Sequence, residues 1–165
     1  MLLIQQRLAA ATPHDVELRL PFELRQKSRL RTQLASGEEV GLVLDRGTVL
    51  RGGDCLRADD GRVVRVVAAE EDLIEVRAAD AETLVRCAYH LGNRHALVEV
   101  GAACLRLVAD DVLATMLRGL GAAVVRVRGP FEPESGAYAA GHHAHSADAK
   151  HAGIIHDFAR ITRVR

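Results

Sequence analysis

The hydrophobic pattern of this 165-residue chain changes period near residue 70, and that change restricts the possible folds more than any single residue does. Before it, Val16-Glu17-Leu18-Arg19-Leu20 alternates apolar and charged side chains, as a strand with one buried face does. Leu30 to Leu34 and Val40 to Leu44 continue the strand-like pattern, with Ser36-Gly37-Glu38-Glu39 between them. Asp45-Arg46-Gly47 and Arg51-Gly52-Gly53-Asp54 are turn signals. Asp59-Asp60-Gly61-Arg62 joins Cys55-Leu56-Arg57 to the Val63 to Val67 run as an Asp-Gly hairpin would. Residues 1–70 are therefore expected to form an all-β domain, and they contain no catalytic constellation.

Composition shifts at Ala68-Ala69-Glu70-Glu71-Asp72, where the domain boundary is expected. Beyond it, Leu73 to Arg77 reads as a strand. Asp80 then caps a helix whose apolar face is Leu84, Cys87, Ala88 and Leu91, with Gly92 expected to end it through the left-handed conformation. Ala96 to Val100, the turn Gly101-Ala102 and Ala103 to Val108 read as a hairpin. Asp110 caps a second helix, with Leu113, Met116, Leu117 and Leu120 at i, i+3, i+4 and i+7, halted by Gly119 and Gly121. Ala122 to Arg128 is the last strand. The order β-α-β-β-α-β is that of ferredoxin-like domains. The expected fold class is thus α+β: an N-terminal all-β domain, a ferredoxin-like domain over 71–138, and a flexible histidine-containing C-terminal tail over 139–165. Gly129-Pro130-Phe131-Glu132-Pro133-Glu134-Ser135-Gly136, with two prolines and two glycines, reads as an irregular linker. Ile154, Ile155, Phe158 and Ile161 have helical spacing, so the end of the chain either forms a short helix that orders on a partner or stays without one.

Twenty-two basic and 22 acidic residues cancel, which argues against the one-signed field that attracts nucleic acid or an acidic membrane. Aromatic residues make up 3% of the chain and tryptophan is absent, so the core must rest on Val, Leu and Ala, and base stacking is disfavoured. The sequence shows neither a basic leader with an apolar run nor a long apolar span, and a soluble cytoplasmic protein is expected. Cys55, Cys87 and Cys104 are odd in number and never in a Cys-x-x-Cys pair; they read as small core residues rather than a disulfide framework.

Eight histidines, five of them between 142 and 156, are the chemistry-bearing residues, since neutral imidazole suits zinc, copper, iron and nickel. His142-His143-Ala144-His145 places three imidazoles where a flexible segment could wrap one ion; the plainer alternative is a solvated polar tail. His95 follows the first helix in the polar turn Gly92-Asn93-Arg94, where a side chain can project from a fixed scaffold. One imidazole cannot hold a divalent ion tightly, but two can meet across an isologous dimer axis. Taken alone, His95 fits a capping or hydrogen-bonding role better than a ligand role, and His90, inside the helix, keeps that plainer role. No nucleophile elbow, phosphate loop or zincin motif is present. Asp110-Asp111 is better explained by helix capping than as a catalytic carboxylate pair, so a non-enzyme is expected.

Read together, Ala88-Tyr89-His90-Leu91-Gly92-Asn93-Arg94-His95, Asp111-Val112-Leu113 with Met116-Leu117 and Leu120-Gly121, and Pro130-Phe131-Glu132-Pro133-Glu134-Ser135-Gly136-Ala137-Tyr138 with its histidine-rich sequel resemble the urease accessory protein E family, the nickel metallochaperones of urease maturation. The resemblance implies a cytoplasmic homodimer with an N-terminal β domain of a partner- or peptide-binding kind and a ferredoxin-like domain that binds metal and dimerises. It implies that His95 and its symmetry mate bind Ni2+ at the dimer interface and that tail histidines His142, His143 and His145 add ligands, with His151 and His156 as further candidates. The ion would pass to the urease accessory GTPase, UreG, and through it to the urease maturation complex. Zn2+ and Cu2+ would compete, because imidazole alone does not select nickel. Where some members carry a His-x-His pair, this chain reads Ala109-Asp110-Asp111, so an auxiliary site is not expected. Two rival readings are a zinc-binding regulatory or hydrolytic protein and a ferredoxin-like nucleic-acid-binding module. The central strands 73–77 and 103–107 lack the aromatics that the second would need.

Overall fold

Alternating runs in the first part of the chain become strands because only one face of each can be buried. In the computed structural model, which describes residues 1–136, β1 (Leu2–Arg7), β2 (Val16–Leu20), β3 (Arg29–Gln33), β4 (Glu39–Val43), β5 (Cys55–Ala58) and β6 (Val63–Ala68) form one six-stranded sheet in the order β2-β6-β5-β1-β4-β3. Leu2, Ile4, Leu18, Leu20, Val40, Leu42, Leu56, Val64 and Val66 build its core. Gly61 takes a φ of 91° in the Asp-Gly turn between β5 and β6, as that turn requires.

Two elements of this part are not visible in the sequence pattern. β1 lies between β5 and β4, yet its alternation covers only Leu2 and Ile4 before a register shift between Ile4 and Gln6 breaks the period. The other is α1 (Phe22–Arg25), a four-residue helix behind Pro21 that is too short to show a helical repeat.

The second part contains β7 (Glu70–Arg77), α2 (Ala81–Gly92), β8 (Glu99–Val100), β9 (Leu105–Val108), α3 (Asp111–Gly119) and β10 (Ala123–Pro130), in the β-α-β-β-α-β order read from the sequence. Its four strands pair as β10-β7-β9-β8, all antiparallel. Ile74, Val76, Cys87, Leu91, Leu105, Leu107, Ala114 and Leu117 form the core between sheet and helices. Both predicted caps are made: the Asp80 carboxylate accepts from the Thr83 N–H, and the Asp110 carboxylate from the Val112 and Leu113 N–H groups.

Three boundaries differ from the sequence reading. The strand expected from Leu73 begins at Glu70, so most of the acidic stretch at 68–72 belongs to β7. β8 is only two residues long, so most of the predicted Ala96 to Val100 strand is irregular. Gly129 and Pro130, read as the start of a linker, extend β10 and pair with Glu71 and Glu70; proline is tolerated there because the strand lies at a sheet edge. The residues that follow are also built in. Phe131 is fully buried and meets Phe22 edge-on, with ring centroids 5.8 Å apart, and Leu73 completes their cluster. Met1–Glu134, with both sheets, forms one unit. The candidate ligands His142, His143, His145, His151 and His156, and the terminal run with helical spacing, lie outside the described residues. No helix among the described residues is long and apolar enough to cross a membrane.

One side chain gathers acceptors from three stretches of this unit. Arg25 is fully buried; its Nε–H donates to the Leu20 carbonyl (3.2 Å), and its terminal N–H groups reach the Leu50 carbonyl (3.4 Å), the Phe131 carbonyl and Glu132 Oε1 (2.7 Å). The guanidinium carbon also lies 5.1 Å from the Phe22 ring centroid. On the second sheet, the buried Glu75 accepts from Arg106 Nε (2.8 Å) and Arg77 Nε (2.7 Å), and those two guanidinium groups hold its carboxyl below the ordinary carboxylate range.

Removing a partner from a buried ion pair strands the other, so Arg25→Ala is expected to lower unfolding free energy by about 3–5 kcal/mol, read by urea denaturation at neutral pH. For Glu75 the folded-state pKa is depressed, so its stabilisation is present above the unfolded carboxylate pKa of about 4.3 and is lost as pH falls through the lower folded value. Glu75→Gln should therefore make stability fall less steeply below about pH 4 than in the parent protein, measured by denaturant midpoints across pH.

Candidate metal centre

The end of α2 sets the position of His95. Asn93 N–H donates to the Tyr89 carbonyl (3.0 Å) and Arg94 N–H to Leu91 (3.1 Å), so the chain keeps turning beyond the last regular helical residue. His95 N–H then donates to Gly92 (2.9 Å) and Ala96 N–H to Leu91 (3.2 Å). These two bonds are the inner and outer closures of a Schellman turn, with His95 at its left-handed position, φ 53°. Gly92, expected to take that conformation, does not: the turn falls three residues later. The reason is packing, because Leu91 is fully buried and Ala96 is packed on the same core, and closing the turn between them brings the chain back onto that core.

Histidine is therefore where a glycine would be easier to accommodate. It is the only non-glycine residue with positive φ among the described residues, and for an L-residue that conformation costs about 1–2 kcal/mol. The imidazole is exposed and stands at the carbonyl end of a twelve-residue helix, the pole of the macrodipole that favours cations. Val85 and Tyr89 on α2 are 68% and 65% exposed; four residues apart, they share one outward strip of the helix. His90 is half-buried and meets the Tyr89 ring edge-on at 5.4 Å.

Among the described residues no three His, Cys, Asp or Glu side chains converge as a metal site. The other predicted ligands, His142, His143 and His145, lie outside the described residues. Asp110 and Asp111 are committed elsewhere: Asp110 caps α3, and Asp111 Oδ1 accepts from Arg126 at 2.6 Å. The three cysteines are free and buried, and burial pushes the Cys87 thiol above its ordinary pKa, opposite to what a thiolate ligand needs. What the geometry offers a divalent ion is one solvent-facing imidazole on a fixed turn.

Sequence reasoning missed how the chain after His95 is tied down. Glu134 N–H donates to the Val98 carbonyl (2.8 Å), and Glu132 N–H to Glu99 Oε2 (2.8 Å). The prolines around Phe131 and Glu132 read as a linker; the available signal was Phe131 itself, a large apolar residue that a solvated linker has no reason to carry.

Relieving the left-handed strain should be visible without any metal. His95→Gly is expected to raise the unfolding free energy of the metal-free protein by about 1 kcal/mol, whereas His95→Ala, which keeps a Cβ, should not, by parallel denaturant melts.

Residues 3–69 match the family model described as the N-terminal domain of UreE urease accessory protein, and residues 71–158 match its C-terminal domain. The changeover falls where the hydrophobic pattern changes period. Similar proteins include the urease accessory protein UreE of Burkholderia thailandensis, 61% identical over 131 residues that cover 79% of this chain and 62% of that protein. That of Nitrosospira multiformis is 49% identical over 149 residues, 90% of this chain and 85% of that protein. The match to a Burkholderia pseudomallei UreE, also 61% identical, covers 64% of its length, so the chain spans less than two thirds of these Burkholderia relatives.

Proposed function

This chain belongs to the UreE family of urease accessory proteins, and on that premise we propose that it is a nickel metallochaperone of urease maturation, an accessory carrier and not an enzyme. In this reading residues 1–70 are a β domain that meets partners, 71–138 a ferredoxin-like domain that binds metal and dimerises, and 139–165 a histidine-bearing tail. Two copies associate in the cytoplasm and bring His95 of each to a shared Ni2+. His143 and His145, with His142 beside them, add ligands, and the ion passes to the accessory GTPase UreG.

The observation that carries this reading is His95 itself: an exposed imidazole kept in a left-handed turn at the negative pole of a helix. A purely structural turn is better served by glycine, so retention of histidine against that cost supports a role for the side chain. The exposed Val85 and Tyr89 on the same helix support association beside it.

The carrier chemistry follows from the ligand set. A rigid imidazole from each copy fixes where the ion sits, while ligands from the tail can leave one at a time as a partner offers its own. Affinity falls as pH drops through the imidazole range, because a protonated ring cannot ligate. Copper binds nitrogen sites more tightly than nickel, so selectivity rests on geometry, supply and the receiving protein.

Calorimetric titration with Ni2+ at neutral pH tests this, with the mass in solution measured alongside. The wild type is expected to show a tight site at about half an ion per chain, the ratio an isologous pair imposes. His95→Ala should abolish that site, and truncation after Tyr138 should weaken it. A tight site that survives in His95→Ala would overturn the reading.

A further inference from the structure

The run that carries His95 is irregular from Asn93 to Val98, and it is held at both ends. At the near end the Schellman closure binds it to Leu91 and Gly92. At the far end it is held by residues more than thirty positions along the chain: Glu134 N–H on the Val98 carbonyl, and Glu132 N–H on Glu99 Oε2. Glu99 is itself braced, because its other carboxylate oxygen accepts from Arg106 at 3.3 Å.

Glu132 faces two ways. Its backbone N–H holds Glu99, while its carboxylate is anchored in the part of the chain that carries the first sheet: Oε1 accepts from Arg25 (2.7 Å) and from the Gly52 N–H (2.8 Å), and Oε2 from Arg51 (3.2 Å). Arg51 also donates to the Pro133 carbonyl at 2.7 Å. The fit at Gly52 is close, since a Cβ there would lie 3.0 Å from Glu132 Oε1. Burial opposes charge on Glu132, but the Gly52 amide and the Arg25 guanidinium outweigh it and hold its carboxyl below the ordinary range. The anchor therefore stays ionised at neutral pH.

We propose that Glu99 and Glu132 are positioning residues for the metal centre, fixing the Ala96–Glu99 run, and with it the direction of His95, against the Arg25–Arg51 corner of the first part of the chain. This rests on the reading of His95 as a ligand. An ion shared between two copies must be met by both imidazoles at once, so slack in either turn is felt twice. Supporting residues that orient ligands typically change metal affinity by about 10–100-fold when they are lost. The same ties give the N-terminal part a bearing on metal binding through Arg25 and Arg51.

The test uses the full chain with Glu99→Ala, which removes the side-chain tie of the run while leaving the buried Arg25 pair intact, and Glu132→Gln, which weakens the anchor. Val64→Ala, in the core of the first sheet, serves as a variant that lowers stability only. Two measurements are made: amide hydrogen exchange across 95–100 without metal, and Ni2+ affinity by calorimetry. Glu99→Ala is expected to speed exchange at His95 and Ala96 and to weaken nickel binding about tenfold, with Glu132→Gln acting in the same direction. Val64→Ala should lower the melting temperature and leave affinity unchanged. Wild-type affinity in both glutamate variants, with His95→Ala still abolishing the site, would overturn the proposal while leaving the metal reading standing. Equal weakening by Val64→Ala would overturn it as well, by reducing the effect to stability. A nickel site intact in His95→Ala would sink the metal reading, and the positioning role with it.

Discussion

A fully buried guanidinium is tolerable only when its N–H groups find acceptors inside the protein, and Arg25 meets that condition with oxygen atoms from stretches that no local pattern connects. Leu20 precedes its short helix, Leu50 lies in the loop before β5, and Phe131 and Glu132 follow the last strand. Because these acceptors are fixed by a single planar group, the chain leaving β10 cannot go its own way. It is drawn back against Phe22, where Phe131 fills an apolar cluster, and onto Val98 and Glu99, where it closes the end of the run bearing His95. The run bearing His95 is thus tied, through Glu132, to a cation that is nowhere near it in sequence.

At His95 the local and the functional demands pull in different directions. The helix can end only where its last buried leucine and the next apolar residue can close over one another, and that places the left-handed position on the histidine. The strain is small enough for a domain to tolerate and large enough to disfavour histidine on stability grounds alone. His95 thus closes the helix through its backbone and leaves an exposed imidazole near the pole that favours cations.

Much of the fold was legible because it is locally encoded. Alternation at 16–20, the Asp-Gly turn at 60–61, the aspartates at 80 and 110 and the helical spacing of Leu113, Met116 and Leu117 each act over a few residues, and each produced the element expected. β1 escaped notice because a register shift interrupts its period, and α1 because four residues do not complete a recognisable repeat. The apparent linker at 129–136 was misread for a different reason. Proline and glycine report only that a regular element is disfavoured; they do not say whether the irregular chain is solvated or buried.

His95 as a candidate, the order of strands and helices, and the change of pattern at residue 70 were determined by the sequence itself, through short-range periodicity, capping chemistry and the solvent preference of side chains. Tertiary structure alone decided that Leu91 and Ala96 pack on one core, which moves the left-handed residue from Gly92 to His95, that Arg25 is buried, and that Phe131 to Glu134 bind back to both parts of the chain. Those outcomes depend on which distant atoms come within hydrogen-bonding and packing distance. Such contacts are made only when the whole chain has closed on itself, so no window of neighbouring residues contains them.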